Sequence, residues 1–294
     1  MVNSNAKSTL PSAREVYFPD TVNSEEASAM LEERFFRIIR LPNGTYKTTA
    51  ADRLTEVDTA LCQCLKDATK NLNILDVGIS SGVTSLELLD ALTQQGFQPH
   101  LTVSDLTIHT VLKRLPGGLD VLCDSKGHIL QLALSSVVKG RPHDPFLSIR
   151  RAVLQLAIVL LESLIKMGIF QKVDAKAVTL ISPRLLNKPK ITIVEHDLND
   201  NKPEWQVQFD VVRAANVLNE AYFSRLVLKR MLAYLLSYVK PNGFLVLART
   251  RESDNSTHGT IYKISTDGKY CVVCRIGDGS ELEDIMQELI NLQI

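Results

Sequence analysis

Aromatic side chains are scarce here: they make up 6% of 294 residues, and Trp205 is the single tryptophan. Without stacking platforms the chain has little with which to hold unpaired bases. An excess of either charge is also missing, since 33 Lys and Arg balance 33 Asp and Glu. A nucleic-acid binder needs a basic surplus, so nucleic acid drops out as a partner. The start, Met1 to Ser12, is polar and lacks an apolar signal core. Export is therefore not expected, and the cytoplasm is the expected setting. Five cysteines are an odd number, and no Cys and His quartet has zinc spacing. Reduced thiols and no metal site are the expectation.

What is present centres on Asn73 to Leu89. A short apolar run, Ile74 and Leu75, meets an acid, Asp76. A turn from Gly78 to Gly82 follows, and then a helical pattern with Leu86, Leu88 and Leu89. This is strand, tight turn, helix. Gly78 permits a sharp turn and leaves room for a ligand, while Gly82 lets the helix start approach closely. Ser80, Ser81, Thr84 and Ser85 are candidate caps or ligand contacts. The turn lacks the middle glycine of a dinucleotide fingerprint and the Lys of a phosphate loop.

With its acid-x-Gly-x-x-x-Gly spacing, the turn resembles the first motif of the class I S-adenosylmethionine (SAM) methyltransferases. The resemblance covers roughly residues 45–108 and 188–294, with further motifs in family order. His100 to Asp105 reads as a second strand ending in an acid, where such sheets meet the ribose hydroxyls. Lys190 to Asp197 reads as a third, and the resemblance places Asp197 near the adenine amino group. Phe209 to Glu220 resembles the fourth-strand motif of the chemotaxis-receptor methyltransferases, in which an Asp at the strand start and a polar residue at its end face the methyl group. Two Ala residues separate Arg213 from Asn216 here, a departure from the Arg-Asn-Val-Leu of those enzymes. A helix from about Ser224 to Tyr238, the Lys240 to Gly243 stop and a buried strand from Phe244 complete the likeness. Thr260 to Ile264 and Tyr270 to Arg275 read as a closing edge hairpin. Leu282 to Leu292 reads as a final helix.

The resemblance implies a doubly wound, Rossmann-like, mostly parallel α/β sheet with an antiparallel edge hairpin, N-terminal helices and a largely helical insertion. The expected organisation is a helical prelude over 1–70, a SAM-binding domain over 71–107 and 188–294, and an insertion over 108–187. The cofactor set is Asp76, Gly78, Ser80, Gly82, Asp105, Leu106, Asp197, Leu198 and Asn216, with Asn216 and Asn219 as candidate catalytic residues. Glu220 stands beside Asn219, and both are alternatively helix caps. Arg53 and the Tyr46 to Thr49 segment are candidates for the methionyl carboxylate, or else a solvated Arg and a capping Thr. His196 is read as a packing residue rather than a base.

Between Asp105 and Lys190 lie more than eighty residues, where a plain doubly wound fold needs one crossover helix. The first part reads as a hairpin turning at Asp124 to Gly127. In the second part, Ala152 to Phe170 is strongly apolar and near the minimum length of a membrane span. However, Arg151, Gln155, Glu162 and Lys166 line one stripe of a helix, so an amphipathic helix is expected rather than a span. Its apolar face is read as a lid over the cofactor, a homodimer contact or a membrane-surface contact, in that order, with extra core as the plain alternative. The activity implied is methyl transfer to a small-molecule acceptor held under that lid. Two rivals stay open: cyclisation of SAM to azetidine-2-carboxylate and methylthioadenosine, and SAM binding without catalysis.

Overall fold

The computed structural model describes residues 10–21, 24–47, 50–144, 147–251 and 253–292. Thr48 and Thr49, expected as caps, lie outside them. The chain runs through α1 (Ala13–Tyr17), α2 (Glu25–Phe36), α3 (Thr55–Cys64), β1 (Asn71–Val77), α4 (Val83–Gln94) and β2 (Gln98–Asp105). It continues through β3 (His109–Leu115), β4 (Leu119–Asp124), β5 (Ile129–Leu134), β6 (Val137–Gly140), α5 (Ile149–Lys166), β7 (Asp174–Thr179) and α6 (Pro183–Leu186). Then come β8 (Ile191–Glu195), β9 (Phe209–Ala215), α7 (Arg225–Tyr238), β10 (Val239–Thr250), β11 (Thr257–Ile264), β12 (Tyr270–Ile276) and α8 (Glu283–Leu292). These form two compact units.

The first unit, here the parallel unit, spans Ala50–Leu106 with the described part of Arg184–Ile294. Its seven-stranded sheet has the order β12-β11-β10-β9-β1-β2-β8. β8, β2, β1, β9 and β10 are mutually parallel, and β11 and β12 are antiparallel. This is the expected doubly wound, largely parallel sheet with its closing hairpin. Strands such as Phe209–Ala215 read as almost continuous apolar runs because both faces of the sheet are covered. α7 places Leu228, Met231, Leu232 and Leu235 in a core with Val212, Leu245 and Tyr262. α3 begins at Thr55, and its expected stripe of Leu54, Val57, Leu61 and Leu65 is buried. The Asp at the start of β9 does not face the site. Asp210 accepts from Asn73 N at 2.7 Å and from Lys240 Nζ at 3.0 Å, tying together the amino ends of β1, β9 and β10.

The antiparallel unit comprises the described part of Met1–Thr49 with Thr107–Pro183. Its five-stranded sheet, β6-β5-β4-β3-β7, is antiparallel throughout. Two expectations change here. The insertion was read as largely helical, yet only the β4–β5 hairpin was foreseen of five strands. β3 and β7 pair residues 60 to 70 positions apart, from Arg114 opposite Asp174 to His109 opposite Thr179. No local spacing announces a partner that distant. The prelude was read as one element over 1–70, but it divides. Phe35, Phe36 and Ile39 pack with Leu112, Leu122 and Leu130 of the antiparallel sheet, while α3 belongs to the parallel unit.

α5 is amphipathic, as expected, but one acid of its polar stripe is turned inward and part of its apolar surface outward. Glu162 of the supposedly solvated stripe is 9% exposed. Its carboxylate accepts from Ile129 N at 2.8 Å and pairs with Arg141. Leu154, Leu161 and Ile165 pack around Ile158 against the sheet. Ile149, Val153, Leu156, Val159 and Leu160 are exposed.

Candidate active site

β1 is flanked by β2 on one side and β9 on the other, so the strand order reverses direction at β1. The loops leaving a doubly wound sheet at such a point diverge and open a crevice at the carboxyl ends of the strands. The turn after β1 lies there. Gly78 N and Ile79 N donate to the Ser104 carbonyl at 2.8 and 3.3 Å, and Ser80 N donates to Asp105 Oδ2 at 2.7 Å. The acid ending β2 therefore holds the turn after β1 in place. Gly78, Ser80 and Gly82 adopt φ of 68°, 57° and 80°. A Cβ on Gly78 would lie 2.5 Å from Val217 Cβ. The missing side chain at Gly78 leaves room for Val217. Gly82 is the N-cap of α4 and, having no side chain, does not cap it. Ser85 Oγ donates to Asp76 Oδ2 at 2.6 Å.

Asp76, Asp105 and Asp197 stand at or just beyond the ends of the adjacent strands β1, β2 and β8. Asp76 is level with Val103, and Asp105 with Glu195. They share an edge, but their tasks differ from expectation. Asp76 is 3% exposed and fully engaged within the fold. Arg213 Nε donates to its Oδ1 at 3.0 Å and Arg213 Nη2 to its Oδ2 at 2.6 Å. Arg213 Nη1 donates to Asp58 Oδ1 at 2.7 Å, and Nη2 also donates to the Thr84 carbonyl at 2.9 Å. One guanidinium thus ties β9 to β1, α3 and α4 in a two-acid clamp. Within the fold, Asp76 anchors the crevice through Arg213 and Ser85.

The protonation equilibria follow from enclosure. Burial, outweighing Arg213, pushes Asp58 up to about 6. Burial alone would lower Arg213, but Asp76 and Asp58 hold it above the ordinary guanidinium range. Burial, followed by the nearby charge of Arg213, lowers Arg53. Burial likewise raises Glu87. Arg53 Nε and Glu87 Oε2 are both enclosed and have no hydrogen-bond partner among the described residues. Glu87 Oε1 accepts from Asp52 N at 2.8 Å, which fixes the carboxylate beside the start of α3.

The other expected residues fall around the same edge. Asp197 Oδ1 accepts from Asn199 N and Nδ2, each at 2.9 Å, and so builds the turn after β8. Leu106 is 43% exposed, whereas Leu198 packs partly against the parallel unit's core. His196 packs edge-on against Trp205, and its Nε2 donates to the Asp200 carbonyl at 2.9 Å. Asn216 follows β9 with φ of 60°. Its Oδ1 accepts from Thr250 N at 2.7 Å and its Nδ2 donates to Thr250 Oγ1 at 3.4 Å. The Asn216 amide is therefore occupied in joining the ends of β9 and β10. Asn219 Oδ1 accepts from Ala221 N at 2.7 Å, a local turn bond. Both side-chain amides are thus engaged in bonds within the fold.

No family model matches the sequence, and no curated protein matches it. Solved structures that align with it include the CMeT domain of the citrinin polyketide synthase, at 15% identity and a TM-score of 0.37 over 69% of this chain and 36% of that one. The N-methyltransferase NodS from Bradyrhizobium japonicum, complexed with S-adenosylhomocysteine, aligns at 14% identity and a TM-score of 0.34 over 69% and 64%. The PH0226 protein of Pyrococcus horikoshii gives 12%, 0.34 and 86% of each chain. The chain thus spans about a third of the first and just under two thirds of the second. Scores this low carry no functional weight, and the fold stands on strand order and register.

Sequence reasoning passes over Asp58 and Glu87. A signal for the first was present: Arg213 interrupts the apolar run from Val211 to Ala215, and a buried cation requires acids beside it. Among the described residues, no group of three His, Cys, Asp or Glu is placed to hold a metal. A groove of about 270 Å³ opens at the opposite edge of the sheet, between Val207, Leu236, Val239, Ile264 and Tyr270. It does not adjoin the turn at Gly78.

Proposed function

We propose that the parallel unit binds SAM at the edge formed by the Gly78–Gly82 turn and Asp105, and transfers its methyl group to a small molecule. The observation that carries this reading is the pair of enclosed, unpartnered atoms of opposite charge, Arg53 Nε and Glu87 Oε2. An amino acid's carboxylate and ammonium are the complementary pair. Asp58, Asp76 and Glu87 against Arg53 and Arg213 leave one negative charge when all five ionise, which suits a ligand of net charge +1. In this assignment Arg53 takes the methionyl carboxylate and Glu87 the ammonium. Asp105 faces the ribose hydroxyls while its Oδ2 holds the turn, and Asp197 borders the base.

When bound, SAM supplies an electrophilic methyl carbon on a sulfonium leaving group. The protein's own share is to align the acceptor and exclude water. No acid–base dyad is needed unless the acceptor is protonated. That fits the commitment of Asn216 to Thr250 and of Asn219 to Ala221. The five free thiols support keeping a reducing, cytoplasmic setting in the proposal.

Calorimetric titration with SAM tests the assignment. Arg53→Ala is expected to weaken binding about tenfold or more, the loss typical of a charged hydrogen bond. Undiminished affinity in Arg53→Ala would remove the assignment, and absence of heat in the parent chain would remove SAM altogether. Incubation with SAM alone distinguishes the rival chemistry, because methylthioadenosine formed without any acceptor indicates cyclisation.

A further inference from the structure

α5 carries much of its apolar surface outward. Leu147, Ile149, Val153, Leu156, Leu160 and Met167 are between 58 and 83% exposed. From Ile149 onward they recur every three, four or seven residues, which is one helical stripe. At roughly 100 Å² each, six such side chains offer on the order of 600 Å² of apolar surface, the upper end of what a monomer ordinarily exposes. The opposite face already packs against the antiparallel sheet through Ile158 and its neighbours. This outward stripe is therefore not required for the unit's own core.

The charges beside the stripe are of one sign. Between Leu147 and Lys172 the sole acid is Glu162, and it is buried on Arg141 and Ile129 N. Arg150, Arg151, Lys166 and Lys172 are all exposed. A second copy is a poor occupant. A two-fold contact sets a patch against itself, so these cations would meet their own copies with no acid between them. A surface with negative headgroups over an apolar interior complements both features. The stripe enters the headgroup and acyl boundary, and the cations take the phosphates. No helix among the described residues is long and apolar enough to cross a membrane, so the geometry is that of a helix lying in the surface plane.

We propose that α5 docks this protein on an anionic phospholipid surface through its outward apolar stripe, with Arg150 and Lys166 on its two flanks and Lys172 beyond its end providing the electrostatic contact. Flotation of the full chain with vesicles tests this, using phosphatidylcholine alone or mixed with phosphatidylserine. Recovery with the mixed vesicles only, weakened by added salt, is the expected result. R150Q/K166Q should lower the partition coefficient about 25-fold, at about fivefold per charge near the surface. L156E/L160E should abolish recovery. Both variants should keep the parent's melting temperature and SAM affinity, which separates this test from the SAM assignment. Three outcomes overturn the proposal: no recovery with either vesicle, equal recovery with both, or a dimer in light scattering that L156E/L160E dissolves.

Discussion

α5 and α7 are both amphipathic helices lying on sheets, yet only α5 buries a charged residue among its apolar ones. α7 turns Leu228, Met231, Leu232 and Leu235 into the core of the parallel unit. α5 turns in a carboxylate, Glu162, and leaves Leu156 and Leu160 facing out. The difference lies in what each sheet offers. The sheet under α7 presents apolar side chains such as Val212 and Leu245. The sheet under α5 presents, besides apolar side chains, the Ile129 N–H and the Arg141 guanidinium. A buried donor without an acceptor costs free energy, so the acid is drawn in and the helix rotates with it. The apolar pattern identifies a helix with two faces; the partner selects the face that is covered.

The two units also share a device, a buried charge held by its counter-charge, and the variants that strand one should act most strongly. Arg213→Met leaves Asp58 and Asp76 buried without their cation. It should destabilise the protein by about 3–5 kcal/mol in urea unfolding. Glu162→Ala leaves Arg141, whose side chain is 13% exposed, and Ile129 N unsatisfied; a smaller loss of about 1–3 kcal/mol is expected. A loss at Glu162 as large as that at Arg213 would erase the distinction between a shared clamp and a single pair.

The apolar faces give the next contrast. Leu232→Ala, in the core under α7, should cost about 2–5 kcal/mol. Leu156→Ala on α5 should change stability by no more than about 0.5 kcal/mol. Equal losses at the two positions would mean that the α5 stripe is covered in solution. The smallest effect expected is on pH dependence. Asp58 titrates near 6 when folded and near 3.8 as its reference. Between those values the folded state binds the extra proton, so this group's contribution falls as pH rises from about 4 to 6 and is constant above. Asp58→Asn keeps an acceptor for Arg213 and should flatten that slope in thermal melts, while a slope identical to the parent's would assign it to another group.

Much of the parallel unit was legible because its signals are local. The apolar run before Asp76, the two glycines, the Lys240 to Gly243 stop and the turn between β11 and β12 each report on a few neighbouring residues. The placing of the three acids at strand ends was legible, and their partners within the fold were not. The acids do end adjacent strands, yet Asp76 is taken by Arg213, which is 137 residues away. Asn216 looks like a ligand contact until Thr250 is placed beside it. The antiparallel sheet was mostly hidden, because β3 and β7 find each other only after the intervening chain has folded.

Read alone, then, the residues determine where strands and helices begin, that five strands run parallel around a glycine turn, and that α5 has two unlike faces. These follow from backbone geometry and from the period of the apolar positions. Only the folded chain decides that Arg213 claims two carboxylates, that Arg53 and Glu87 are enclosed with one atom each unpaired, and that α5 shows its leucines to the outside. Each of those outcomes depends on which charge or hydrogen-bonding group arrives opposite, and that is set by contacts between segments that the order of residues does not display.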